Sequence, residues 1–137
     1  MALPDELAVR LSSQGVGSTT STGTWRITAD ELPKSLQGSS SQARAVCIVE
    51  TGGLPWEPGA IFKPTFQVVV RGPASSPTTA REKMDDVITA LHRFSGTAGN
   101  RRYPDIQLQG DVVYLGLDQN DRPLYSANFF AFRSDTT

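Results

Sequence analysis

Apolar positions along the chain follow two different periods. Between Pro64 and Gly72 (PTFQVVVRG) they alternate, with Phe66, Val68 and Val70 on one side of a strand and Gln67, Val69 and Arg71 on the other. Pro73-Ala74-Ser75-Ser76-Pro77 breaks that pattern. From Ala80 to Phe94 the apolar positions turn helical: Ala80, Met84, Val87, Ile88, Leu91 and Phe94 line one face. Arg81, Glu82, Lys83, Asp85, Asp86 and Arg93 fill the other, and Arg81 and Asp85 stand four apart, able to pair. Ser76 suits an N-cap, Pro77 a first helical residue, and Ser95-Gly96 a stop.

The same reading extends in both directions. Leu3, Leu7 and Leu11 form one apolar stripe, predicting a short helix over Pro4–Leu11 with Asp5 and Glu6 at the positive end of its dipole. Gly15 and Gly17 stop it. Ser12–Gly23 and Leu36–Gln42 are loops by composition, the first a flexible segment that orders against a neighbour. Thr24–Thr28 (TWRIT) predicts a short strand between them, and Ala43–Glu50 (ARAVCIVE) a longer one. Thr51–Phe62 holds three glycines and two prolines and reads as a long turn joining that strand to Pro64–Arg71 as a hairpin. Thr97–Arg102 reads as a loop. Asp105–Gln109 and Val112–Leu117 read as strands broken at Gly110-Asp111, and Leu124–Arg133 as the last strand after a turn at Asp118–Asp121. The fold class expected is α+β: a mainly antiparallel sheet, one long helix packed on a face, and a short N-terminal helix. Residues 1–137 make one domain, with a loop-rich segment over 12–42.

Composition narrows the function. Net charge is −1, from 13 Lys and Arg against 14 Asp and Glu, which argues against a dedicated nucleic-acid binder. One cysteine, Cys47, rules out an intrachain disulfide and a Cys-rich zinc site. One histidine, His92, rules out a His-cluster metal site. No apolar run approaches the ~20 residues of a membrane span, and Met1–Leu11 has no signal-peptide core, so the chain is expected in the cytosol when made.

No chemistry emerges from the remaining polar residues. Asp85 and Asp86 are adjacent on a helix and diverge by about 100°, which suits a solvated face better than an ion site. Asp118-Gln119-Asn120-Asp121 lacks the spaced ligands of a calcium loop and reads as turn chemistry. There is no Gly-x-Ser-x-Gly elbow and no phosphate loop. His92 on the helix flank reads as structural, and Cys47 as a small buried apolar residue. No catalytic residue, metal site or cofactor is expected. Two loops attract more interest. Trp56 and Glu57 lie in Thr51–Phe62, and Trp56 either caps the core or anchors a partner subunit. Arg101, Arg102 and Tyr103 lie in Gly99–Tyr103, as a solvated turn or as part of an intersubunit ion pair.

Five stretches together resemble the tail terminator proteins of long-tailed bacteriophages, also called minor capsid or tail completion proteins. They are Leu3–Leu11 (LPDELAVRL), Val46–Gly53 (VCIVETGG), Phe66–Gly72 (FQVVVRG), the helix Ala80–Phe94, and Leu115–Phe130 (LGLDQNDRPLYSANFF). Ser12–Ala45 and Thr97–Gln109 fall outside the resemblance. It implies a structural virion protein, assembled in the host cytoplasm, that forms a homohexameric ring on the head-proximal end of the tail tube. The ring would stop tube polymerisation and offer a head-to-tail joining surface to a head completion or stopper protein. DNA would pass through its lumen without specific binding. Ring closure calls for two different patches on each subunit. One is expected from the loop with Trp56 and Glu57. The other is expected from the helix, with Arg81 and Asp85, or from Arg101, Arg102 and Tyr103. Two alternatives stand beside it: a head–tail stopper or other neck component, and a small hydrolase or nuclease using carboxylates such as Asp105 or Asp111.

Overall fold

The computed structural model describes residues 3–19, 25–30, 44–53, 61–99, 101–119 and 121–134. Its elements are α1 (Leu3–Ser13), β1 (Arg26–Ala29), β2 (Ala45–Gly53), β3 (Ile61–Phe62), β4 (Pro64–Arg71), α2 (Pro77–Leu91), β5 (Gly96–Ala98), β6 (Arg101–Tyr103), β7 (Asp105–Leu117) and β8 (Pro123–Ser134). The sheet runs β1-β2-β4-β8, with β7 on the far side of β8. All its pairs are antiparallel except β1 with β2. β3 meets β8 in the register that β4 continues, Phe62 opposite Arg133 and Thr65 opposite Phe130, so the two act as one strand interrupted at Lys63. This is the expected α+β architecture.

Both helices cover one face of the sheet. Phe66, Val68 and Val70 are fully buried there, with Val46 and Ile48 of β2 and Ala127, Phe129 and Ala131 of β8. Phe66 and Phe129 stack with ring centroids 5.2 Å apart. Leu3, Leu7 and Leu11 of α1 and Ala80, Met84, Val87 and Leu91 of α2 close this core from above. Cys47 is buried on the opposite face of the sheet, as its strand position implies.

Several boundaries differ from expectation. α2 ends at Leu91, not at Ser95, because Arg93 turns to φ 65° and sends its main-chain N–H to the Ile106 carbonyl at 2.6 Å. Phe94 therefore lies beyond the helix, under the Arg10 guanidinium at 4.0 Å. The stretch read as a Thr97–Arg102 loop is a small hairpin, β5 paired with β6, whose inner residues Ala98 and Tyr103 are buried. Residues 14–19 are not a flexible tether. Val16 is buried, its N–H closes α1 back to Leu11, and Ser18 bridges to Arg26 beside β1. Residues 20–24 and 36–42 lie outside the described residues.

Asp105–Gln109 and Val112–Leu117, read as separate strands, are one strand with two bulges. The register against β8 shifts between Gln109 and Val113 and again between Tyr114 and Gly116. Gly110 (φ 80°) and Gly116 (φ 96°) adopt the left-handed conformations that such bulges use. The turn behind them is pinned as its Asp-rich sequence implies. Arg122 donates its main-chain N–H to Asp118 at 3.0 Å and its Nε–H to the same carboxylate at 2.8 Å. Arg71 is buried beside Arg122; desolvation first, then that like charge, lowers its pKa, while Asp118 and Cys47 oppose the shift.

Candidate assembly surface

The residues singled out in the sequence go to different places. Arg81 and Asp85 pair on the exposed face of α2, as their spacing implies, a contact worth only about 0.3–0.5 kcal/mol. Arg102 is exposed on β6, opposite Thr97. Arg101 and Tyr103 turn inward, and Tyr103, expected in a surface loop, is completely buried. Trp56 and Glu57 lie outside the described residues.

What Arg101 and Tyr103 meet is Glu6, read from the sequence only as a charge at the positive end of the α1 dipole. It is 0% exposed. The Tyr103 hydroxyl donates to Glu6 Oε1 at 2.7 Å, and Arg101 and Arg133 approach the carboxylate at 3.6 and 3.7 Å. A buried carboxylate must be paired to be tolerated. The cluster thus fastens α1 to β6 and to the end of β8. Burial, then the bond to Glu6, pushes the Tyr103 pKa far above its ordinary value.

The second feature is the outer edge of β7. A strand at a sheet edge leaves every other residue with unpaired main-chain groups. Along the first half these groups are occupied by the end of α2. Arg93 N–H donates to the Ile106 carbonyl, and Leu108 N–H donates to His92 Nδ1 at 3.0 Å. His92 is structural, as read, and its task is to cover an edge. Beyond Gln109 no described strand pairs with this side of β7.

That uncovered half is also apolar. Val113 and Tyr114 are each 49% exposed, and Leu115 and Leu117 each 51%. Among the described residues Val9 alone joins them as an exposed large apolar side chain. Tyr114 leans on Tyr125 at 5.0 Å, and the carboxylates of Asp111 and Asp121 flank the stripe in the open. Four such residues gather on this uncovered half-strand, Val113 and Tyr114 on opposite faces, which makes it a candidate contact surface.

The sequence carried a signal for this surface. Val112, Val113, Tyr114 and Leu115 are apolar at both strand parities, yet the helices cover only one face of the sheet. In the structure Val113, Tyr114 and Leu115 are all about half exposed, so the run is uncovered at both parities, and the pattern alone reads the same whether its own chain or a neighbour covers it.

The family profile described as bacteriophage tail terminator protein matches residues 10–131. The chain belongs to that family. As a family member it is a structural protein of a phage-type tail, which agrees with a site built from an apolar edge. No curated protein sequence matches the chain. Among solved structures, its fold matches a chain of the virion of a native gene transfer agent (GTA) particle, with a TM-score of 0.65 and 16% identity. The match covers 97% of this chain and 99% of that one. At that identity the likeness is one of fold. Among the described residues no three His, Cys, Asp or Glu side chains gather to hold a metal, and no helix is long and apolar enough to cross a membrane.

Proposed function

We propose that copies of this chain close into a homohexameric ring at the head-proximal end of the tail tube, and that the ring ends tube polymerisation. The ring then presents the surface to which a head completion or stopper protein joins, and DNA passes through its lumen. The observation that carries this reading is the family match across the domain. The uncovered apolar edge of β7 supports it, because such a surface needs a permanent neighbour. A near-neutral chain suits a lumen through which DNA must slide. The protein resides in the virion, at the junction of tail and head, after assembly in the host cytoplasm. Arg81 and Asp85, paired with each other, and Arg102 are exposed where a neighbouring subunit can reach them; Trp56 and Glu57 remain candidates for the same contact. Arg101 and Tyr103 serve it indirectly, by holding the β5–β6 hairpin on Glu6.

Electron microscopy of particles assembled without the protein tests this reading. Tail tubes of abnormal and variable length support termination. Tails of normal length that fail to join heads identify a stopper instead, and normal infectious particles overturn both.

A further inference from the structure

The open half of β7 and the far end of the β7–β8 hairpin carry opposite charge. Asp111, in the middle of β7, and Asp121, in the turn, are exposed on either side of the apolar stripe 113–117. The arginines near the turn, Arg71 and Arg122, are buried, and Arg122 is bound to Asp118. At the other end stand Arg93, whose side chain is 68% exposed, and Arg102 on the outer face of β6. Asp105 approaches Arg93 there at 3.7 Å, a partial compensation, while the Glu6 carboxylate is buried under Arg101 and Arg133. Half-buried Phe94 and Pro104 add apolar surface to this basic end. Along β8, seven residues separate Ser126, opposite Val113, from Arg133 on the Glu6 cluster. At about 3.4 Å per residue the two ends are roughly 24 Å apart.

We propose that the acidic, apolar end of β7 in one copy packs against the basic β5–β6 end of the next copy, Asp111 facing Arg102. This rests on the ring reading above and names its contact. The occupant of the stripe is a second copy because this chain itself supplies the complementary charge, on a patch too distant to be used within one molecule. In the ring the contact is head-to-tail, each copy offering one patch to each of its two neighbours. Opposed carboxylates and guanidinia set the register and reject like-charged docking.

A charge exchange tests the contact. Asp111→Arg and Arg102→Asp are both surface substitutions, and thermal unfolding followed by circular dichroism checks that each variant folds; Asp111→Lys and Arg102→Glu stand in for either that does not. Each is supplied to tails assembling without the native chain, and tail length is read by electron microscopy. The native chain restores uniform length. Either variant alone leaves at least tenfold more over-long tails. The two supplied together restore uniform length, because an alternating ring re-pairs every contact. A single variant that works as well as the native chain overturns the contact. So does a mixture that stays inactive, which assigns the acidic edge to a tube or head protein. If the native chain itself leaves tails over-long, the termination reading fails and the contact with it.

Discussion

The main-chain N–H of Leu108 donates to Nδ1 of His92 at 3.0 Å. With the Arg93–Ile106 bond beside it, this contact seals half of an edge strand and leaves the other half open. Replacing His92 with Ala leaves the Leu108 N–H to solvent and costs about 1 kcal/mol of unfolding free energy. Amide hydrogen exchange at Leu108 speeds up while exchange at Val68, in the middle of the sheet, changes only by the global loss. Unaltered exchange at Leu108 would show that His92 does not protect the edge.

Substitutions in the open half act differently. Tyr114→Ser and Leu115→Ser remove half-exposed side chains, so unfolding by denaturant shifts by about 1 kcal/mol, well short of a core truncation. The same variants lose the capacity to restore tail length. A large loss of stability with activity retained would make the stripe part of the core instead of a contact.

Gly72 joins β4 to the turn before α2 at a close approach. A Cβ there would lie 2.6 Å from the Ala80 Cβ and 3.2 Å from Cγ of Pro123. Gly72→Ala therefore pushes α2 off the sheet and costs about 1–3 kcal/mol, measured by equilibrium denaturation. A neutral result would mean that the helix shifts freely on the sheet.

Tyr103→Phe removes the hydroxyl that satisfies buried Glu6, at a cost of about 1.5–3 kcal/mol near neutral pH. The sign of its pH dependence follows from the raised pKa. Above the ordinary tyrosine value of about 10 the unfolded chain releases this proton and the folded chain keeps it. The stabilisation by Tyr103 is thus complete below about pH 10 and declines above it, by up to about 1.4 kcal/mol per pH unit. The gap in stability between native chain and variant narrows from pH 9 to pH 11. A gap that stays constant would show that Tyr103 ionises in the folded state as it does in the unfolded one.

The core was legible because one-sided burial writes a period into the sequence. Phe66, Val68 and Val70 at every second position and Ala80, Met84, Val87 and Leu91 at helical spacing all point inward. Three-residue strands are too short to show alternation, so β5 and β6 passed for a loop around Gly99. Glu6 looked satisfied by a helix dipole because its real partners, Arg101, Tyr103 and Arg133, are more than ninety residues away. The open half of β7 was hidden by a different ambiguity. An apolar strand reads the same whether its second face is covered by its own chain or by a neighbour.

Polymerising tail tube subunits with increasing amounts of the purified chain tests the central claim most directly. Tube length, measured by electron microscopy, is predicted to fall as the chain is added, with a six-fold ring of density capping one end of each arrested tube. Tubes that grow to the same length at every ratio, with bare ends, would contradict it.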